Sequence, residues 1–343
     1  MSGHKQRSTK MSFTFDVIKG AKDGRLVAAK TTRSLQPNQV YIEITHSGVC
    51  GTDEHYRHVD QVLGHEGIGI VREAGSGVTN VDVGDRVGIG YFHEVCGLCP
   101  SCLAGWDQYC ENKKEYGSAN LDIGSFANGA VWNADLVFRI PDGIDSVDAA
   151  PLMCAGGTVW TILAEYGVRP GDRVGILGVG GLGHLAIKLA AAIGSHVVVL
   201  SSSEAKRQEA IDYGASEYHV FRSGQTLESM KPLKHLLLCG SAGVDFNSLI
   251  PLMDKQGSIY PITVDMNPSS IPLFPVLHNG IRIQGSLVSS RRNMHKLLQL
   301  CAAKGIKPTT MQFPLTVAGA EEAMKNLREG KIRYRAVLAR EGV

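Results

Sequence analysis

The chain predicts an α/β protein in two parts: a mainly β first half and a second half built on a doubly wound parallel sheet. Three observations carry this expectation. At 343 residues the chain is too long for one ordinary core, so two domains are the default. From residue 13 to about 141 it reads as short apolar strands interrupted by glycine. From about Cys154 the pattern changes to strand, glycine-rich turn, helix and strand, the rhythm of a βαβ unit.

Composition narrows the function classes. Hydrophobic residues make up 43% of the chain, mean hydropathy is near zero and 40 glycines supply many tight turns, as in a soluble globular protein. A net charge of +2 is too small to suggest nucleic acid or an acidic membrane as partner. The opening MSGHKQRSTK is polar and basic, which fits a disordered lead and neither a secretory signal nor an anchor. No apolar run approaches the roughly 20 residues a membrane span needs, so a cytoplasmic protein is expected. There, eight cysteines suggest ligands and not a disulfide framework, and five of them fall between Cys50 and Cys110.

In the first half, residues 40–44 alternate and lead into CGTDEHYRHVDQVLGHE at 50–66; residues 67–71 and 87–89 are further strands around the turn-rich GSGVTNVDVGD. A small barrel or distorted sandwich follows. The stretch 50–66 concentrates metal ligands and proton carriers. Cys50 and His65 are ligand types that zinc favours, and a catalytic zinc takes three protein ligands, so a third must come from elsewhere. Thr52 offers a hydroxyl, His55 a near-neutral proton carrier, and Asp53 an acceptor for the free ring nitrogen of a ligating histidine. A buried cysteine and a core histidine are the competing reading.

The second cysteine group is more specific. Cys96, Cys99, Cys102 and Cys110 form C-x2-C-x2-C-x7-C, four soft ligands within fifteen residues. That spacing suits a closed tetrahedral zinc that stores folding energy and leaves no position for chemistry. An iron–sulfur cluster and free thiols are the rival readings. His58 and His93 read as surface or loop histidines, and Cys239 and Cys301 as core thiols.

In the second half, residues 174–177 make a continuous apolar strand, GVGGLG follows at 178–183, 184–194 reads as a helix and 196–200 as the next strand. In that context Gly178 and Gly180 let the backbone turn and approach a pyrophosphate, and Gly183 lets the helix pack close, its N-terminus meeting the phosphate charge. A purely structural glycine turn is the alternative. Where an NAD site places a carboxylate, this chain has Ser201, Ser202 and Ser203, then Glu204, Lys206 and Arg207. Hydroxyls and cations favour the 2′-phosphate of NADP(H), although Lys206 and Arg207 on a merely exposed helix would look the same, and Glu204 keeps the question open. Apolar runs at 235–239, 259–264 and 281–288 continue the sheet, and the doubly wound domain is expected to end near Val288 or Ser289. From Arg291 the chain reads helix, strand, helix, strand, too little for a core of its own and expected to complete the first domain; Arg291 and Arg292 read as a solvated helix start.

Together, CGTDEH, GHEGIGIV, the four-cysteine lobe, GVGGLGHLAIKLA, VVLSSSEAKRQEA and the closing GKIRYRAVL resemble, over nearly the whole chain, the zinc-dependent medium-chain alcohol dehydrogenases and their cinnamyl alcohol dehydrogenase-like branch. The resemblance implies a β-rich GroES-like catalytic domain over residues 1–153 and 290–343, and a Rossmann domain over 154–289 that binds NADP(H). It implies two zinc ions per chain. Cys50, His65 and Cys154 would ligate the catalytic one, with Glu66 as an exchangeable ligand; Cys154 is not identifiable from spacing. Thr52 matches a hydroxyl that bonds the substrate oxygen, and His55 a group linking the ribose to solvent. Thr158, the turn Gly178, Gly180, Gly181, Leu182 and Gly183, the serines 201–203, Lys206 and the backbone from Ser286 to Val288 match cofactor contacts. A homodimer joined edge to edge, with IRIQGSLV at the edge, is also implied.

Three departures bear on the substrate. Only fourteen residues separate Cys50 from His65, a shorter loop than is usual in the branch, and Gly51 stands where relatives often carry a basic or histidine side chain. After the cysteine lobe, where an aromatic often lines the pocket, Tyr116 fits with an offset. The expected activity is reversible hydride transfer between NADP(H) and an alcohol or aldehyde. The alternatives are reduction of an iminium or conjugated C=C bond, and a non-catalytic redox sensor that binds NADPH and zinc.

Overall fold

The computed structural model describes residues 11–342 except 226, 228, 241, 242, 244 and 265; the proposed disordered lead lies outside them. Among the described residues no single helix is long and apolar enough to cross a membrane. Strand Gln39–Val49 is the spine of the first half. Its early residues pair antiparallel with Gly129–Asn133, its length pairs with Gly67–Ala74, and its end, from His46 to Val49, pairs with Arg335–Ala339. Thr310–Pro314 adds to the outer side of Arg335–Ala339, so the last two strands of the chain belong to the first sheet. Alternation along Gln39–Val49 buries Val40, Ile42 and Ile44 completely, as a one-sided strand requires.

The second sheet has six strands, all parallel: Glu217–Val220, His196–Ser201, Arg173–Leu177, Leu233–Leu238, Met253–Pro261 and Arg282–Ile283 in spatial order. Numbered along the chain this is the order 3-2-1-4-5-6 of a doubly wound dinucleotide fold, with its switch point beside Arg173–Leu177. Val197 to Leu200 are wholly buried because helices cover both faces. Helix Gly183–Ala192 lies so close to the preceding turn that a Cβ on Gly183 would sit 1.9 Å from the carbonyl oxygen of Gly178. No other residue fits there.

The run 281–288 is a strand only at Arg282–Ile283. Beyond it Gln284 still donates to the carbonyl of Ile259 (2.9 Å), and further on the backbone meets side chains from elsewhere: the N–H of Leu287 donates to the Tyr109 hydroxyl (3.2 Å) and the Thr161 hydroxyl donates to the carbonyl of Val288 (2.8 Å). Val288 itself has φ +40°, a conformation that ends any ladder. The run 259–264 likewise stops pairing at Pro261. Helix Arg291–Lys304 packs on helix Ala155–Glu165, and one continuous core runs from Ile68 and Met153 through Val159 and Leu297 to Val174 and Ile176.

Candidate active site

Two clusters of ligand-type side chains stand out. The Sγ atoms of Cys96, Cys99, Cys102 and Cys110 all lie within 4.8 Å of one another. Tetrahedral zinc–thiolate bonds of about 2.3 Å put sulfurs about 3.8 Å apart, so the group matches a closed zinc site. Backbone N–H groups point at the sulfurs: Cys99 to Cys96 (3.3 Å), Cys96 to Cys110 (3.2 Å) and Asn112 to Cys110 (3.4 Å). Such donors stabilise thiolates, and those of Leu98 and Cys99 bring Cys96 down to about 6.

The second cluster joins Cys50, His65, Glu66 and Cys154, whose donor atoms also lie within 4.8 Å of one another. Cys50 precedes helix Gly51–Tyr56, His65 and Glu66 precede strand Gly67–Ala74, and Cys154 opens helix Ala155–Glu165. Only the fold brings the last across. The sulfur of Cys50 lies 3.7 Å from the Thr52 hydroxyl, and His55, one helical turn on, is exposed.

The electrostatics favour a cation. The two sulfurs interact directly, which pushes the Cys50 thiol well below its ordinary range and that of Cys154 well above it; burial works against ionising either. A second negative charge in this buried group needs a positive ion. Burial would depress His65, yet the Asp53 carboxylate and Cys50 outweigh it and raise its pKa. The Nδ1 of His65 bonds Asp53 Oδ1 (3.1 Å), while its Nε2, fully buried, has no hydrogen-bond partner among the described residues. A buried ring nitrogen without a partner is costly unless it meets something, and a soft-ligand metal, which would displace any proton there, is what this donor set suits.

Glu66 is held by Arg335, whose Nη2 donates to both carboxylate oxygens at 2.5 and 2.7 Å. Burial lifts the Glu66 carboxyl to about 7, with Arg335 restraining the rise. Sequence reasoning missed Arg335, although the closing GKIRYRAVL contains it; its contact with Glu66 spans 269 residues. The same guanidinium lies beside the glycine turn, 3.1 Å from where a Cβ on Gly181 would be.

At the other end of the cleft, Gly178 turns with φ +93° and its N–H donates to the Leu200 carbonyl. Lys206 Nζ donates to the carbonyl of Val179 (2.6 Å), so the cation sits on the glycine loop. Arg207 grips both carboxylate oxygens of Glu204 at 2.5 and 2.8 Å, which neutralises the acid that follows strand His196–Ser201. Ser201 is buried; Ser202 and Ser203 are exposed. Arg222 donates to the Ser202 carbonyl (3.3 Å), a second cation here that sequence reasoning missed; its only sequence signal is its place after the next parallel strand. Thr158 is buried one turn after Cys154, and its N–H donates to the Cys154 carbonyl.

Two expectations need correction. Tyr116 does not line an open pocket; it is 1% exposed, with its ring against His65 and its hydroxyl donating to Asp53 (2.8 Å). A buried hydroxyl needs such a partner. His93 is no surface residue either: it is buried in strand Phe92–Glu94 against Trp132, and burial depresses it to about 3. His58 is exposed, and Cys239 and Cys301 are buried as core thiols. Arg291 and Arg292 start a helix but are ion-paired, to Asp107 and Glu165.

Comparisons with known proteins agree with this architecture. Residues 36–142 match the alcohol dehydrogenase GroES-like domain family, and residues 181–303 match the zinc-binding dehydrogenase family. The NADP-dependent alcohol dehydrogenase C 1 of Mycolicibacterium smegmatis is 32% identical over 90% of this chain and 92% of its own. A rice protein (Oryza sativa subsp. japonica) named probable cinnamyl alcohol dehydrogenase 8B is 34% identical over 89% of this chain and 73% of its own. The solved structure of a Sorghum bicolor cinnamyl alcohol dehydrogenase superposes with a TM-score of 0.90 at 29% identity, covering 96% of this chain and 98% of that one. The fold is therefore a GroES-like domain joined to a Rossmann domain in an alcohol oxidoreductase. The chain belongs to the zinc-dependent medium-chain alcohol dehydrogenases, in the cinnamyl alcohol dehydrogenase-like branch.

Proposed function

We propose that the protein interconverts an alcohol and an aldehyde with NADP(H), using one zinc held by Cys50, His65 and Cys154 and a second held by Cys96, Cys99, Cys102 and Cys110. The observation that carries this reading is the unpartnered Nε2 of His65, buried among two sulfurs and Glu66. When bound, zinc polarises the carbonyl and the nicotinamide supplies the hydride. The protein sets the geometry. Asp53 fixes the His65 tautomer so that Nε2 faces the cluster. Thr52, beside the Cys50 sulfur, bonds the substrate oxygen and passes its proton toward exposed His55. Glu66, with its carboxyl near 7 and Arg335 as alternative partner, can leave or join the ligand set without being stranded as a buried charge.

Residues 154–289 form the nucleotide domain in this reading, and 1–153 with 290–343 the catalytic domain; the membership of the two sheets supports that division. Gly178, Gly180, Gly181, Leu182 and Gly183 take the pyrophosphate, Thr158 and the segment from Ser286 to Val288 face the nicotinamide, and Ser201, Ser202, Ser203 and Lys206 take the 2′-phosphate. The pairing of Glu204 with Arg207 supports NADP(H), because it neutralises a carboxylate that would otherwise repel that group. A homodimer fits the exposed apolar side chains Leu273, Phe274 and Leu277, 74–79% accessible, next to edge strand Arg282–Ile283.

The test combines metal analysis with NADPH oxidation against aldehyde, iminium and enal panels. Two zinc ions per chain, turnover of aldehydes above the other two, and loss of one zinc and of turnover in Cys154→Ser are expected. An active protein with one zinc per chain would defeat the proposal.

A further inference from the structure

We infer that Tyr116 is a positioning residue for the metal ligand His65, acting through Asp53; the inference rests on the zinc reading above. The argument begins with the load on one carboxylate. Asp53 is fully buried, and its Oδ1 accepts three hydrogen bonds: from His65 Nδ1 (3.1 Å), from the N–H of Gly64 (3.2 Å) and from the Tyr116 hydroxyl (2.8 Å). Its Oδ2 accepts the N–H of Cys50 at 2.8 Å. One side chain thus ties the backbone at one ligand to the ring of another. How well it does so depends on its own rotamer being fixed.

Tyr116 supplies that fixation from 63 residues away in sequence, on the segment after the cysteine lobe. Its hydroxyl also accepts the N–H of Gly64 (3.1 Å), the residue before His65. Its ring lies on the imidazole, 4.7 Å between centroids at 32°, and is flanked edge-on by Tyr56 at 5.3 Å and Tyr91 at 6.1 Å. Rotation of His65 about its side-chain bonds therefore meets a stacked ring on one side and a bonded carboxylate on the other. The tyrosine removed from the expected substrate wall thereby has a use beneath the metal.

The test is Tyr116→Phe, which keeps the stacked ring and deletes only the hydroxyl. In the zinc-loaded protein, transfer of zinc to a chromogenic chelator should become 10–100-fold faster for one ion, the range expected when a hydrogen bond behind a metal ligand is lost. The other zinc, at the four-cysteine lobe, should leave at the wild-type rate and so report an intact fold. Cobalt in place of the catalytic zinc should show shifted visible bands. Because the effect passes through Asp53, adding Tyr116→Phe to Asp53→Asn should cause no further acceleration. A Tyr116→Phe protein with wild-type zinc release and an unshifted cobalt spectrum would overturn the inference, as would losses that multiply in the double variant. A wild-type protein that binds a single zinc would instead overturn the reading on which it rests.

Discussion

Arg335 and Glu66 offer the sharpest energetic test. Their side chains are 6% and 0% exposed, and the guanidinium reaches both carboxylate oxygens at 2.5 and 2.7 Å. At such burial the attraction between the charges roughly balances the cost of removing both from water, so the pair itself adds little net stability. Removing one partner is different, because the other remains as an unpaired buried group. Arg335→Met should therefore cost about 3–5 kcal/mol, a large part of the roughly 5–15 kcal/mol that holds a domain folded. Adding Glu66→Gln should recover most of the loss, since neither residue then carries a charge. Urea denaturation of the metal-free proteins, followed by tryptophan fluorescence, measures both. A single variant within about 1 kcal/mol of wild type, or a double variant no better than the single, would refute the claim that the pair is a closed, mutually dependent unit.

Three further outcomes are expected. Buried His93 and His184, both depressed by burial from 6.5 to about 3, should cost stability between pH 7 and 5, because they stay neutral in the folded chain while their unfolded forms take up protons; Glu66, whose folded carboxyl near 7 takes up its proton in the same window, offsets part of that fall. The sign follows from the unfolded state binding more protons in that window, at about 2 kcal/mol per histidine, and His93→Gln should flatten the profile in a thermal-shift series. Ser203→Asp with Lys206→Ala should move cofactor preference at least tenfold from NADPH toward NADH, read as the ratio of kcat/KM values, since a carboxylate then stands where the 2′-phosphate would bind. Phe274→Glu should halve the mass measured by light scattering if the exposed Leu273–Asn279 helix lies at the dimer seam.

The candidate site was legible in the sequence wherever its residues are close along the chain. The interval from Cys50 to Glu66 and the four cysteines from 96 to 110 could be read because short spacing alone limits where those side chains can go. The glycine turn at 178–183 was legible for a related reason: a strand on one side and a helix on the other leave it one geometry. The positions that escaped are those whose partners are far away. The offset of Tyr116 after the cysteine lobe says nothing about which way its ring turns. The burial of His93 is hidden too, because one histidine in a short strand carries no periodic signal to set it apart from a surface or loop residue.

Local pattern and ligand chemistry thus determined the order of elements, the two-part α/β architecture and the ligand types, all of which depend on neighbours within a few turns of chain. Tertiary structure alone decided that Cys154 meets Cys50, that Arg335 closes on Glu66 across 269 residues, and that Tyr116 turns inward onto Asp53. The physical reason is that a buried charge or hydroxyl must find a partner. Which one it finds depends on the groups that folding leaves beside it in the core, and spacing along the chain does not record that.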